Sequence, residues 1–232
     1  LARFVPWRRR RRETLGEEVT PMLHPDTRLV WVDDHIGHGV VVTRPIPRGT
    51  ILWALDPLDH LLSRRRVEEL GPAFWPVLER YSYINASGSR ILCWDFARYM
   101  NHHCEAVSHS PGTNFEIAVR DLEAGEAVTC DYSSLNLEED LECACRSPQC
   151  RRLIRAADAG RLAAGWDALL QAAIQDTPHV PQPLLDFVEE RQLLRHWAAH
   201  PESLPSTRLH LKRPDAVHRA ARARARSAGV GS

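Results

Sequence analysis

The feature that most constrains this chain is "CACRSPQC", residues 143–150, which places three of its six cysteines within eight residues. Three thiolates make an incomplete tetrahedral site, and a structural zinc almost always takes four ligands. A fourth ligand must therefore come from a distant segment. The best candidate is Cys104 in "RYMNHHCEA", residues 98–106. There His102, His103 and Cys104 are consecutive, and adjacent side chains point to opposite faces of a strand or diverge by about 100° on a helix. They cannot easily all ligate one ion. A cross-segment cluster of this kind closes the middle of the chain onto its later part. The remaining cysteines, Cys93 and Cys130, lie outside the array, and a lone cysteine such as Cys93 reads as a small buried hydrophobe.

A chain of 232 residues with 44% hydrophobic content can bury one substantial core, with or without a small satellite module. No apolar run reaches the roughly 18 residues of a membrane span, and the arginine run at 8–12 is not followed by the apolar stretch of a secretory signal. A soluble, cytoplasmic protein is the expectation. Formal net charge is zero, yet "RRRRR" near the start and "HRAARARAR" near the end concentrate basic residues, and residues 1–23 and 201–232 are expected to be disordered basic segments. Clustered arginines attract phosphates, which keeps a nucleic-acid partner in view. Only Lys212 of the 30 basic residues is a lysine. That bias, with many alanines, points to a GC-rich and hence bacterial source. The start is ambiguous between Leu1 and Met22.

Short apolar runs punctuated by Gly and Pro, "RLVWV", "GVVVTR" and "TILWAL", make residues 28–55 strand-rich. Residues 58–81 read as a helical patch, short strands resume at "RILCWDFA" and "NFEIAVRDL", and "EAGEAVTCDY" is a turn into a last strand around Gly125. Two helices are expected at "AGWDALLQAAIQ" and "PLLDFVEERQLLRHWAA". The chain is thus a β-rich α+β protein, with a main domain over 24–135, a cysteine segment over 136–155 and C-terminal helices over 156–200.

Four separated motifs carry a resemblance that runs from about Arg28 to Cys150, and more loosely to Phe187. "GHGVVV", "RYMNHHC", "AGEAVTCDY" and "CACRSPQC" resemble, in order, the Gly-x-Gly, RFxNHxC, GEELTxDY and post-SET CxCx4C elements of SET-domain protein lysine methyltransferases. The resemblance implies a SET fold, short sheets around a threaded segment that departs from the usual unknotted connections, with a post-SET zinc segment. It implies S-adenosylmethionine as methyl donor, a structural zinc on Cys104, Cys143, Cys145 and Cys150, and a protein with an accessible lysine as substrate.

Residue by residue, it implies cofactor contacts from Ile36, Gly37, His38, Arg98, Asn101 and His102. It makes Tyr132 the tyrosine at the reacting centre and Tyr81 the second channel tyrosine, with Tyr83 on the same strand face. Cys130 stands where the family often has Phe or Tyr and where the number of methyl groups added is set; a smaller residue there implies products beyond monomethyl-lysine. After the zinc cysteine the family commonly continues NHSCxPN, whereas this chain has His103, Ala106 and Val107, which alters that loop; Asn114 is the nearest downstream asparagine. The alternative is a non-catalytic, zinc-stabilised SET scaffold that binds proteins or nucleic acid. If the protein methylates itself on a side chain, only Lys212 can receive the group.

Overall fold

The computed structural model describes residues 22–112 and 114–212. The arginine run near the start and the basic stretch after Lys212 lie outside them. The strands are β1 Thr27–Asp33, β2 Gly37–Val42, β3 Ile51–Ala54, β4 His60–Leu62, β5 Ser82–Ile84, β6 Arg90–Leu92, β7 Asn101–His102, β8 Ser108–His109, β9 Phe115–Ala118, β10 Thr129–Cys130, β11 Leu141–Glu142 and β12 Leu153–Ile154. The helices are α1 Arg64–Leu70, α2 Trp75–Tyr81, α3 Ala159–Ile174 and α4 Arg191–Ala199. The expected β-rich α+β class describes this arrangement.

Four small antiparallel sheets are built as β1-β2, β3-β9-β8, β4-β6-β5 and β11-β12. Strands β7 and β10 instead pair in parallel, Asn101 opposite Thr129 and His102 opposite Cys130. This pairing sets "NH" beside "TCDY". A parallel neighbour cannot be reached by a tight turn, so the intervening chain loops away through β8 and β9 before it returns.

Alternation along β9 divides the interior. Phe115 and Ile117 point to one face and join Ile51, Leu170, Ile174, Leu184 and Trp197 in a core shared with α3 and α4. On the other side Leu23, Val40, Val42, Leu52, Trp53, Ile91 and Val128 form the first core. Sheet β3-β9-β8 is therefore a wall with packing on both faces.

Several expectations about elements are corrected. The helical patch at 58–81 opens with β4, because Leu61 and its neighbours pair with β6, and is then split at Gly71 and Pro72 into α1 and α2. Tyr81 closes α2, so only Tyr83 is on a strand. The helix expected over 183–199 is a 3-10 turn at Leu185–Phe187 followed by α4; Leu184 and Val188 dive into the core between them.

Met22 and Leu23, placed in the N-terminal tail by sequence, are buried, and Ala54 N–H donates to Met22 C=O. Residues 201–212, placed in the C-terminal tail, form 3-10 turns at Pro201–Ser203 and Thr207–His210. Asp167 accepts from Thr207 N–H at 2.7 Å and from Ser206 Oγ at 2.6 Å, which fastens the segment to α3. The sequence pattern missed this because the anchors are single polar side chains, without periodicity.

Candidate functional site

Strands β7 and β10 carry the centre of the site. Tyr132 N–H donates to His102 Nδ1 at 3.1 Å, and the Tyr132 hydroxyl donates to Met100 C=O at 2.9 Å. The Tyr132 ring packs 5.5 Å from that of His102. Its hydroxyl position is thus set from both ends of the side chain. Burial pushes its pKa well up, so the hydroxyl stays protonated across the physiological range.

His102 is the hinge between two neighbourhoods. Burial pulls its pKa down to about 4 against the attraction of Asp131, so the ring is neutral. Because Nδ1 accepts from Tyr132, the proton resides on Nε2, which faces Cys104 Sγ at 3.4 Å. Asp131, almost wholly buried, accepts from Arg151 Nη2 at 2.6 Å and from Ser133 N–H at 3.1 Å. Arg151 N–H in turn lies 3.3 Å from Cys104 Sγ. The cysteine segment is wired to the residues flanking Tyr132.

The expected cofactor residues also meet. Asn101 Nδ2 donates to His38 C=O at 3.0 Å, bringing β7 to the β1-β2 hairpin. Ile36 N–H is held by Asp33 Oδ1 at 2.8 Å, and the His38 ring lies 5.4 Å from Tyr99. Arg98 donates to the carbonyls of Trp94 and Asp95. Gly37 has φ of 81°, a conformation that L side chains rarely adopt. A Cβ on Gly39 would sit 2.9 Å from Asn101 Nδ2 and from Val32 Cγ2. Gly37 is needed for the turn and Gly39 for Asn101 to reach the His38 carbonyl, and a stretch without Cβ atoms leaves the main chain open to close approach by a ligand.

The four cysteines expected to bind zinc converge. Their sulfurs all lie within 4.8 Å of one another, with Cys104 and Cys143 at 3.6 Å. Zinc–sulfur bonds of about 2.3 Å in a tetrahedron place sulfurs roughly 3.8 Å apart, so donor set and spacing fit the ion. Hairpin β11-β12 brackets three of them, with Cys143 N–H donating to Arg152 C=O at 2.9 Å. Cys130 is outside this cluster, buried in the first core.

A cavity of about 770 Å³ opens on the other side of the centre. Tyr132, Met100 and Cys130 border it, together with Tyr81, Tyr83 and Trp53. Tyr81 packs edge-on to Tyr99 at 5.4 Å, and Tyr83 edge-on to Trp53 at 6.3 Å. Asn114, which the motif comparison could not place, also borders it, and its carbonyl accepts from Leu55 N–H.

Three contributors escape the motif reading. Met100 acts through its carbonyl, which carries no side-chain signal. Asp131 sits inside a quoted motif, but its Arg151 partner appears only in three dimensions. Glu116, an acid in the apolar run "FEIAV", faces the cavity; a lone polar residue on a strand reads by pattern as solvent-facing.

No helix among the described residues is long and apolar enough to cross a membrane. Comparison with curated proteins gives no match. Residues 37–133 match the family model of the SET domain. That span opens at the glycine hairpin and closes just after Tyr132, and residues 37–133 of this chain therefore form a SET domain.

Proposed function

We propose that this protein transfers methyl groups from S-adenosylmethionine to a lysine side chain of a protein. The observation that carries the reading is the position of Tyr132. Its hydroxyl is paired with Met100 C=O, both residues border the cavity, and its backbone is held by His102, whose neighbour Asn101 reaches the glycine hairpin. The cavity would take the lysine, and Gly37, His38, Asn101 and His102 would hold the donor, whose sulfonium supplies an electrophilic methyl group.

A free lysine has a pKa near 10.4, and only its neutral amine attacks. Entry into the part of the cavity bordered by Met100, Cys130 and Tyr132 desolvates the ammonium and favours loss of its proton. The nitrogen lone pair then forms the new N–C bond as the methyl carbon's bond to sulfur breaks, with that electron pair staying on sulfur. Tyr132 and the Met100 carbonyl align the nitrogen, and alignment is the larger part of such a displacement. Zinc on the four thiolates would fix Cys104, and through it the His102 ring.

The test is transfer of labelled methyl from donor to proteins of a cell lysate, with Tyr132→Phe alongside the wild type. We predict a rate loss of roughly 100-fold or more, with donor affinity within about threefold, because the ring still packs on His102. Equal loss of both, or no loss of rate, would remove Tyr132 from the centre. Donor binding without transfer to any lysine would leave the protein a binding scaffold.

A further inference from the structure

The wall of the cavity holds a carboxylate that the methyl-transfer reading does not use. Glu116 is the one residue of "FEI" that β9 turns away from the helices, and its register partner on β3 is Trp53. On the neighbouring strand Ser108, fully buried, donates its hydroxyl to Glu116 Oε2. Among the described residues no cationic side chain pairs with Glu116. Burial raises its pKa, and the Ser108 hydrogen bond acts the other way. A half-buried carboxylate that faces the cavity and is held by one hydroxyl is most favourable when a cation completes it.

Several of the other charges around the cavity are already engaged. Asp56 accepts from Trp94 Nε1 at 2.7 Å and Asp59 from Trp94 N–H at 3.1 Å. Arg98 is committed to main-chain carbonyls, and Arg90 to Glu138 at 2.7 Å. Cys93 and Cys130, which also border the cavity, are kept as neutral thiols by burial. Beside Glu116 stand the faces and edges of Trp53 and Tyr83, perpendicular at 82°. Where a large aromatic would close the space, Cys130 leaves it open.

A carboxylate with two aromatic rings at its side is the chemistry that recognises alkylated ammonium, by charge and by cation–π attraction together. We infer that Glu116, Trp53 and Tyr83 form a binding chamber for a methylated lysine ammonium, entered from the cavity past Cys130. The inference rests on the lysine reading for its ligand. Glu116 is a positioning residue in it: after a transfer the nitrogen is a cation, and the chamber holds that cation off the line of attack until it loses a proton to solvent.

The experiment measures binding to the full chain and needs no turnover. Nα-acetyl-trimethyllysine amide and its neutral isostere, in which a carbon replaces the quaternary nitrogen, share shape but not charge and are titrated by calorimetry. We expect the wild type to prefer the trimethyl probe by roughly tenfold, and Glu116→Gln, which keeps shape and can still accept from Ser108, to lose most of that preference. Tyr83→Leu, which removes a ring and leaves the carboxylate, should reduce it too. If the wild type binds both probes alike, or the preference persists in Glu116→Gln, the inference is overturned. Should Glu116→Gln not fold, an unchanged preference in Tyr83→Leu overturns it instead. Failure of methyl transfer alone would sink the proposed reaction but leave this preference to be measured.

Discussion

His109 shows how a single buried ring registers in stability. It stacks 5.7 Å from Trp166, and burial lowers its pKa to about 4, against the attraction of Asp131 and with the repulsion of His210. Between that value and the ordinary 6.5 the unfolded chain binds a proton that the folded chain refuses, so the contribution of His109 is intact above about pH 6.5 and is lost as pH falls toward 4. Asp59, raised to about 6 mainly by burial, works in the opposite sense over much of the same window, so the whole-protein curve mixes the two. The variant isolates the ring. We predict that the stability advantage of wild type over His109→Gln shrinks by up to about 3 kcal/mol between pH 7 and pH 4.5, read from denaturant unfolding at each pH; a constant difference would show that His109 titrates normally. Residues inside motifs were legible in the sequence, Tyr132 and Asn101 above all, since four short patterns in order constrain one another. Glu116 and Ser108 were not, because each is an unremarkable residue type whose meaning comes from the strand opposite.

At the scale of elements, hairpin β11-β12 is too short to stand alone. Its strands are two residues each, Leu141 is exposed, and few backbone bonds close it. The ties that attach it to the centre include the sulfur cluster at Cys104, the Arg151–Asp131 pair and the bond from the Ser147 hydroxyl to Glu105. Structural zinc contributes directly to folding energy. We predict one zinc per chain by elemental analysis, and amide exchange at Cys143 and Arg152 that speeds by roughly tenfold or more on chelation or in Cys104→Ser. A protein free of zinc, or a Cys104→Ser variant with full zinc content and unchanged exchange, would refute the cross-segment site. This element was the most readable part of the chain, because ligand spacing is local chemistry. Helix limits were less so: Gly71 and Pro72 cut one apolar pattern into two helices, and Leu184 and Val188 draw another off its axis into the core. Periodicity records which residues are apolar, not which neighbour will bury them.

Across the whole molecule, residues 201–212 belong to the body, and this decides how the protein could meet its own lysine. Asn136, in the left-handed conformation at φ 54°, donates to Ile84 C=O at 2.9 Å and to His210 C=O at 2.7 Å. Its Oδ1 accepts from Lys212 N–H at 2.7 Å. Lys212 Nζ lies 3.8 Å from Glu138, a residue of the cavity rim. Sequence composition placed Lys212 in a loose tail that could swing into its own site; instead its backbone is fixed at the rim, through an asparagine that also anchors β5. Entry of Lys212 into the cavity of the same chain would break the Asn136 contacts, whereas entry into a second molecule would need only the side chain and its local turn to yield. We therefore predict that any self-methylation of a side chain occurs between molecules. The initial rate per enzyme should rise in proportion to protein concentration below saturation, and the signal should vanish in Lys212→Arg. A rate per enzyme that stays flat over a hundredfold dilution would show transfer within one chain and release of the segment from Asn136. Faster transfer in Asn136→Ala at high dilution would then identify that release as the limiting step.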